Sequence, residues 1–89
     1  MGTLHLVMSP LGLSSCLLRA GRGDAVLLME DGVFGLVPSL IEASLLPSFF
    51  VLEAHRQRRE SPGVEGVQSI DMVGFVRLTE LHPLVVRWS

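Results

Sequence analysis

A single cysteine, Cys16, and the absence of lysine set the first bounds on this chain. One cysteine cannot form an internal disulfide, and three scattered histidines, His5, His55 and His82, lack metal-ligand spacing, so no metal site is expected. All seven basic residues are arginines against nine acids, and a net charge of −2 offers no basic field for direct nucleic-acid binding. No basic n-region precedes the first apolar stretch, which stops at Ser9-Pro10. No secretory signal is therefore read, and a cytoplasmic location is expected, where the thiol stays reduced. Gly21-Arg22-Gly23-Asp24 lacks the Lys-Ser/Thr of a phosphate loop and reads as a turn, so no cofactor is expected. Val33 to Leu52 carries Glu42 as its only charge, yet Pro38 and Pro47 cut it into pieces too short for a membrane helix, and no membrane association is expected.

What is present is mostly apolar. With 89 residues the chain has room for one domain, spanning 1–89, and 48% of its residues are hydrophobic. A domain of this size buries roughly 60 to 65 per cent of its unfolded surface, so small domains lean on disulfides, metals or association. The first two are excluded, and a surplus of apolar surface becomes an interface. An oligomer is expected.

Periodicity and punctuation give an alternating order. Thr3 to Met8 is a strand, Ser9-Pro10 or Gly12 opens a helix to about Ala20, and Asp24 to Met29 is a continuous apolar run of the kind buried on both faces. Val33 to about Leu46 reads as helix interrupted at Pro38, Ser48 to Leu52 as a third strand, and Ala54 to Glu60 as a short polar helix. Gly66 to Ile70 is a fourth strand, and Met72 to His82 an amphipathic helix with Phe75, Val76 and Leu78 inward. Val85-Val86 adds a short edge strand. This order predicts an α/β fold: a small three-layer sandwich with a mostly parallel four- to five-stranded sheet and helices on both faces.

In such a sheet ligands gather outside the carboxyl ends of the strands, here Met8-Ser9, Glu30-Asp31, Glu53-Ala54 and Asp71-Met72. Ser9, Asp31 and Gly32 are therefore candidate lining residues, Asp31-Gly32 also reading as a turn and helix cap. His5 reads as a hydrogen-bonded structural histidine, and His82 suits the end of the last helix. His55-Arg56-Gln57-Arg58-Arg59 reads as a solvated helix face, or else a docking patch for an acidic partner. No nucleophile–base pair can be assembled, which leaves little support for a hydrolase or dehydrogenase.

Three stretches carry a family resemblance: Leu4-His5-Leu6-Val7-Met8-Ser9-Pro10, Leu27-Leu28-Met29-Glu30-Asp31-Gly32-Val33, and Ile70-Asp71-Met72-Val73-Gly74-Phe75-Val76-Arg77-Leu78-Thr79-Glu80-Leu81-His82-Pro83 with Trp88 beyond. With these the chain resembles the DsrH/TusB sulfur-relay proteins. The resemblance implies a subunit of a hetero-oligomer with DsrE/TusD-like and DsrF/TusC-like partners. It further implies persulfide sulfur passed between cysteines, toward tRNA wobble-uridine 2-thiolation or within sulfur oxidation. The principal acceptor cysteine of that family belongs to the DsrE/TusD subunit. DsrH-type members carry one of their own in a context like Ser14-Ser15-Cys16-Leu17, which makes Cys16 the candidate persulfide carrier.

The residues themselves leave Cys16 open. A persulfide carrier needs a thiolate near neutral pH, which a helix N-terminus or a cation promotes. A helix capped at Gly12 puts Cys16 near its first turn; one that starts at Pro10 gives it almost no help. Cys16 also shares the i, i+3, i+4, i+7 face with Leu13, Leu17 and Ala20, as an inert core residue would. Two function classes follow: a sulfur-transfer subunit working through Cys16, or a structural subunit that completes an oligomer and supplies no chemistry.

Overall fold

The computed structural model describes residues 2–37 and 47–89. Strands and helices alternate in the order β1 (Thr3–Val7), α1 (Pro10–Leu17), β2 (Ala25–Leu28), a 3-10 helix (Glu30–Gly35), β3 (Ser48–Leu52), α2 (Glu53–Arg58), β4 (Val67–Ile70), α3 (Met72–Leu81) and β5 (Leu84–Trp88). The strands form one sheet in the order β4-β3-β2-β1-β5, with every neighbouring pair parallel. Leu4 lies beside Ala25 on one side and Val85 on the other, which fixes the central register.

All four residues of β2 are buried, as a central strand covered on both faces requires. Alternation sorts the apolar side chains into two cores. Val7, Val26, Leu28, Phe49 and Val51 pack with Leu13, Cys16, Val33 and Leu36 on one face. Leu4, Ala25, Leu27 and Leu52 pack with Leu78 of α3 on the other. The steps β1 to β2, β2 to β3 and β3 to β4 all run in one direction across the sheet, and β4 to β5 alone runs back. Right-handed crossovers therefore put α1, the 3-10 helix and α2 on one side of the sheet and, among the described helices, α3 alone on the other.

Local chemistry starts and stops these elements. Ser9 Oγ accepts the Gly12 N–H at 3.0 Å, and Pro10 follows at the position where a helix needs no N–H donor. Asp71 Oδ1 accepts the Gly74 N–H at 2.9 Å in the same way. α1 stops at Leu17, short of Ala20, where the ladder tightens and the Leu18 and Arg19 N–H groups bond three residues back, to the Ser15 and Cys16 carbonyls. The helix expected from Val33 starts instead at Glu30, as a 3-10 helix ending at Gly35; Leu36 leaves helical geometry with ψ 80°. Val37 precedes Pro38, a position that disfavours the α conformation, and the remainder of that expected helix, 38–46, lies outside the described residues. In α3, Phe75 and Leu78 face the sheet, but Val76 points outward and is 53% exposed. Among the described residues no helix is long and apolar enough to cross a membrane.

Gly32 is where the tight entry into the 3-10 helix is decided. A Cβ there would meet the Val7 carbonyl oxygen at 2.1 Å, and a backbone atom at the end of a central strand cannot move aside cheaply. Gly32→Ala is expected to destabilise the fold by about 2 kcal/mol or more in urea denaturation. Gly63→Ala, where nothing lies within 4 Å, is expected to stay within about 0.5 kcal/mol of the parent.

Candidate functional site

The parallel sheet brings the ends of β1, β2 and β3 to one edge, with Ser9, the segment Glu30-Asp31-Gly32, and α2 along it. Glu30 has φ 51°, a left-handed conformation that costs a non-glycine residue about 1 kcal/mol. His55 Nδ1 stabilises this bend by accepting the Glu30 N–H at 2.8 Å. Arg59 closes it from outside: Nε donates to Asp31 Oδ1 at 3.0 Å and Nη2 to Glu30 Oε2 at 3.2 Å. Its remaining Nη1 is buried without a hydrogen-bond partner among the described residues.

Arg56 is committed as well. Nε and Nη2 donate to the Glu53 carboxylate at 2.8 and 2.6 Å, and Nη1 donates to the Ser61 carbonyl at 2.7 Å. Hydrogen bonds from Arg56, then from Ser69, push the Glu53 carboxyl down to about 2. The basic run after β3 is thus a set of internal clamps: two of its three arginines spend their charge on Glu30, Asp31 and Glu53. Sequence reasoning read a solvated face there because the carboxylates that meet Arg59 come 28 and 29 residues earlier.

Ser9 is occupied as the cap of α1, Gly32 abuts Val7, and Asp31 is exposed but paired to Arg59. These three residues sit at the strand-end edge; Cys16 does not join them. It is the seventh residue of α1, about 9 Å along the axis from Pro10, on a helix that runs back over β1 toward the opposite edge. It is fully buried among Val7, Leu13, Val33 and their neighbours. Burial, with the Asp24 carboxylate second, pushes the Cys16 thiol up to about 11. At pH 7 that leaves about one thiolate in ten thousand.

Toward the opposite edge lies a part-buried polar cluster built around His5. Asp24, just before β2, accepts from the Thr3 N–H at 2.9 Å, the Gly21 N–H at 3.0 Å and His5 Nε2 at 3.0 Å. Trp88 Nε1 donates to His5 Nδ1 at 3.0 Å. Indole nitrogen only donates, so Nδ1 is the acceptor and the ring proton sits on Nε2, facing Asp24. A carboxylate–imidazole pair of this kind could orient a catalytic base, but Trp88 occupies the nitrogen that a base would use. His82 is likewise structural, its Nδ1–H donating to the Leu78 carbonyl at 2.8 Å at the end of α3. The sequence reads Asp24 as the end of a turn and the start of a strand; no local signal marks its role, because the His5 and Trp88 ends of this chain of bonds lie 83 residues apart.

Among the described residues no group of three or more His, Cys, Asp and Glu side chains could hold a metal ion. The fold and these sites define a small α/β domain with an all-parallel sheet, ion pairs across the strand-end edge beside β2 and its thiol in the core. A family model described as DsrH like protein matches residues 8–85, and the chain belongs to the DsrH family. A role related to sulfur relay follows from that membership. A search of the curated proteins found no match.

Burial raises the Asp24 carboxyl, but the hydrogen bonds from Thr3, His5 and Gly21 outweigh it and hold the group below the usual carboxylate range. The stabilisation is therefore present above the unfolded pKa of about 3.9 and is lost as pH falls through the lower folded value. Asp24→Asn is expected to cost about 2 kcal/mol at pH 7. Its difference from the parent should shrink below about pH 4, as read by urea denaturation across the pH range.

Proposed function

We propose that this chain is a subunit of a cytoplasmic sulfur-relay assembly in which it supplies structure and contact surface, while the persulfide is carried on a cysteine of a partner. The observation that carries this reading is the state of Cys16: fully buried, distant from the helix N-terminus, and raised to about 11. A sulfur carrier must expose a nucleophilic thiolate to its donor and its acceptor; Cys16 has neither exposure nor charge. Its small apolar side chain fills the core between α1 and the sheet.

Family membership supports the relay context and the expectation of DsrE/TusD-like and DsrF/TusC-like partners. The exposed apolar surface supports assembly. β5 is an edge strand, and Leu84, Val85 and Val86 on it are all exposed. Edge strands that lack lysine, proline or a bulge pair readily with other chains. The destination of the sulfur, wobble-uridine 2-thiolation or sulfur oxidation, is set in this reading by the partners.

Incubating the native chain with a persulfide donor should leave its intact mass unchanged, whereas the same treatment in denaturant should add about 32 Da at Cys16. A native adduct that disappears in Cys16→Ser would overturn the proposal and make Cys16 the carrier. Coexpression with sister chains of the DsrE/TusD and DsrF/TusC types should give a stable complex, and Cys16→Ala should still enter it.

A further inference from the structure

We infer that a second copy of this chain docks on the outer face of α3 about a twofold axis, Arg77 of each copy lying against Glu80 of the other. The inference concerns this chain alone and does not rest on the sulfur-relay reading.

α3 is the only described helix on its face of the sheet, and no described element covers its flanks. Phe75 and Leu78 turn toward the strands. The other side of the helix carries a second apolar set, Met72, Val73 and Val76, with Val73 68% exposed, and a shallow groove runs over these residues to Arg77 and Glu80. A helix that is apolar on both sides is built to be buried on both sides.

The charges beside this stripe say what buries it. Arg77 and Glu80 lie three residues apart on the same outward side, and neither has an ion-pair partner among the described residues. A twofold operation turns one copy of the helix antiparallel to the other, so residue i meets j and j meets i. One arginine and one glutamate are then matched twice by the same pair, with the apolar residues between and beside them. Leu81, exposed at the C-terminal end of α3, extends the surface that the second copy would cover. A net charge of −2 per chain opposes the approach only weakly. α3 is about 15 Å long, a small interface, so association should fall in the micromolar range.

Sedimentation equilibrium of the isolated chain tests this directly. The parent should be a concentration-dependent dimer. Arg77→Glu alone and Glu80→Arg alone should each weaken it about tenfold or more, since each places like charges together. The double variant R77E/E80R should recover the dimer, and so should an equimolar mixture of the two single variants, because the mixed pair is again complementary. Both positions are on the surface, and unchanged circular dichroism would show that the variants fold. A parent that stays monomeric at high micromolar concentration would overturn the inference. So would single reversals that leave the dimer intact, or a mixture that fails to restore it, either of which would assign the contact to another surface such as the β5 edge.

Discussion

The hydrogen-bonded chain from Asp24 through His5 to Trp88 is the interaction on which the rest of the fold leans. It ties the first strand to the entry of β2 on one side and to the end of β5 on the other, and β1 lies between them in the sheet. The buried His5 ring would be costly if unsatisfied, and it finds one partner just before β2 and the other at the end of β5. Register then follows, because a one-residue slip of β5 would carry the indole away from His5 and leave both unpaired. The Trp88 carbonyl adds to the closure by accepting the Met8 N–H at 2.9 Å. Gly12 lets the start of α1 come down over that carbonyl, which a Cβ would approach at 2.9 Å.

From this anchoring comes a division of labour between the two faces. The face under α1 and the 3-10 helix is sealed, and Cys16 is part of the seal. Among the described residues, the face under α3 is covered by one helix of ten residues whose far side is still apolar. Along the strand-end edge, where an enzyme of this fold would open a ligand site, Arg59, Glu30 and Asp31 are tied together beside β2, while a cleft lined by Glu53, Gln68, Ser69 and Asp71 opens beside β4. Exposed apolar side chains line the outer side of α3 and the β5 edge.

Features with a local cause were readable from the residues in order. The strand-and-helix alternation, Ser48–Leu52 as a strand, the Ser9-Pro10 and Asp71 caps and the strand-end location of Ser9, Asp31 and Gly32 all follow from patterns a few residues long. What escaped such reading depends on residues brought together from far apart. Asp24 looks like any turn aspartate until His5 and Trp88 are placed beside it, and Arg59 looks solvated until the second strand delivers its two acids. The outward turn of Val76 escaped for a different reason. A helix with apolar residues on both sides has two candidate inner faces, and Gly74, whose absent side chain lets α3 settle on Ile70, selects the one bearing Phe75 and Leu78. Cys16 was the ambiguous case: its helical face was correctly read as core, while its distance from a helix start depended on whether Pro10 or Gly12 opened the helix.

The pairing of β1 with β5 also sets the order in which the protein can be made. Strands β1 to β4 add to the sheet one after another, each beside the strand before it, but the second edge of β1 waits for residues some eighty positions downstream. Nascent chains emerge at about 5–20 residues per second, so for several seconds after it leaves the ribosome β1 offers an unpaired, apolar edge to whatever it meets. Parallel pairings of such long separation are slow to form and prone to aggregation. The timing of synthesis thus bears on whether that edge closes on β5 or meets another chain first.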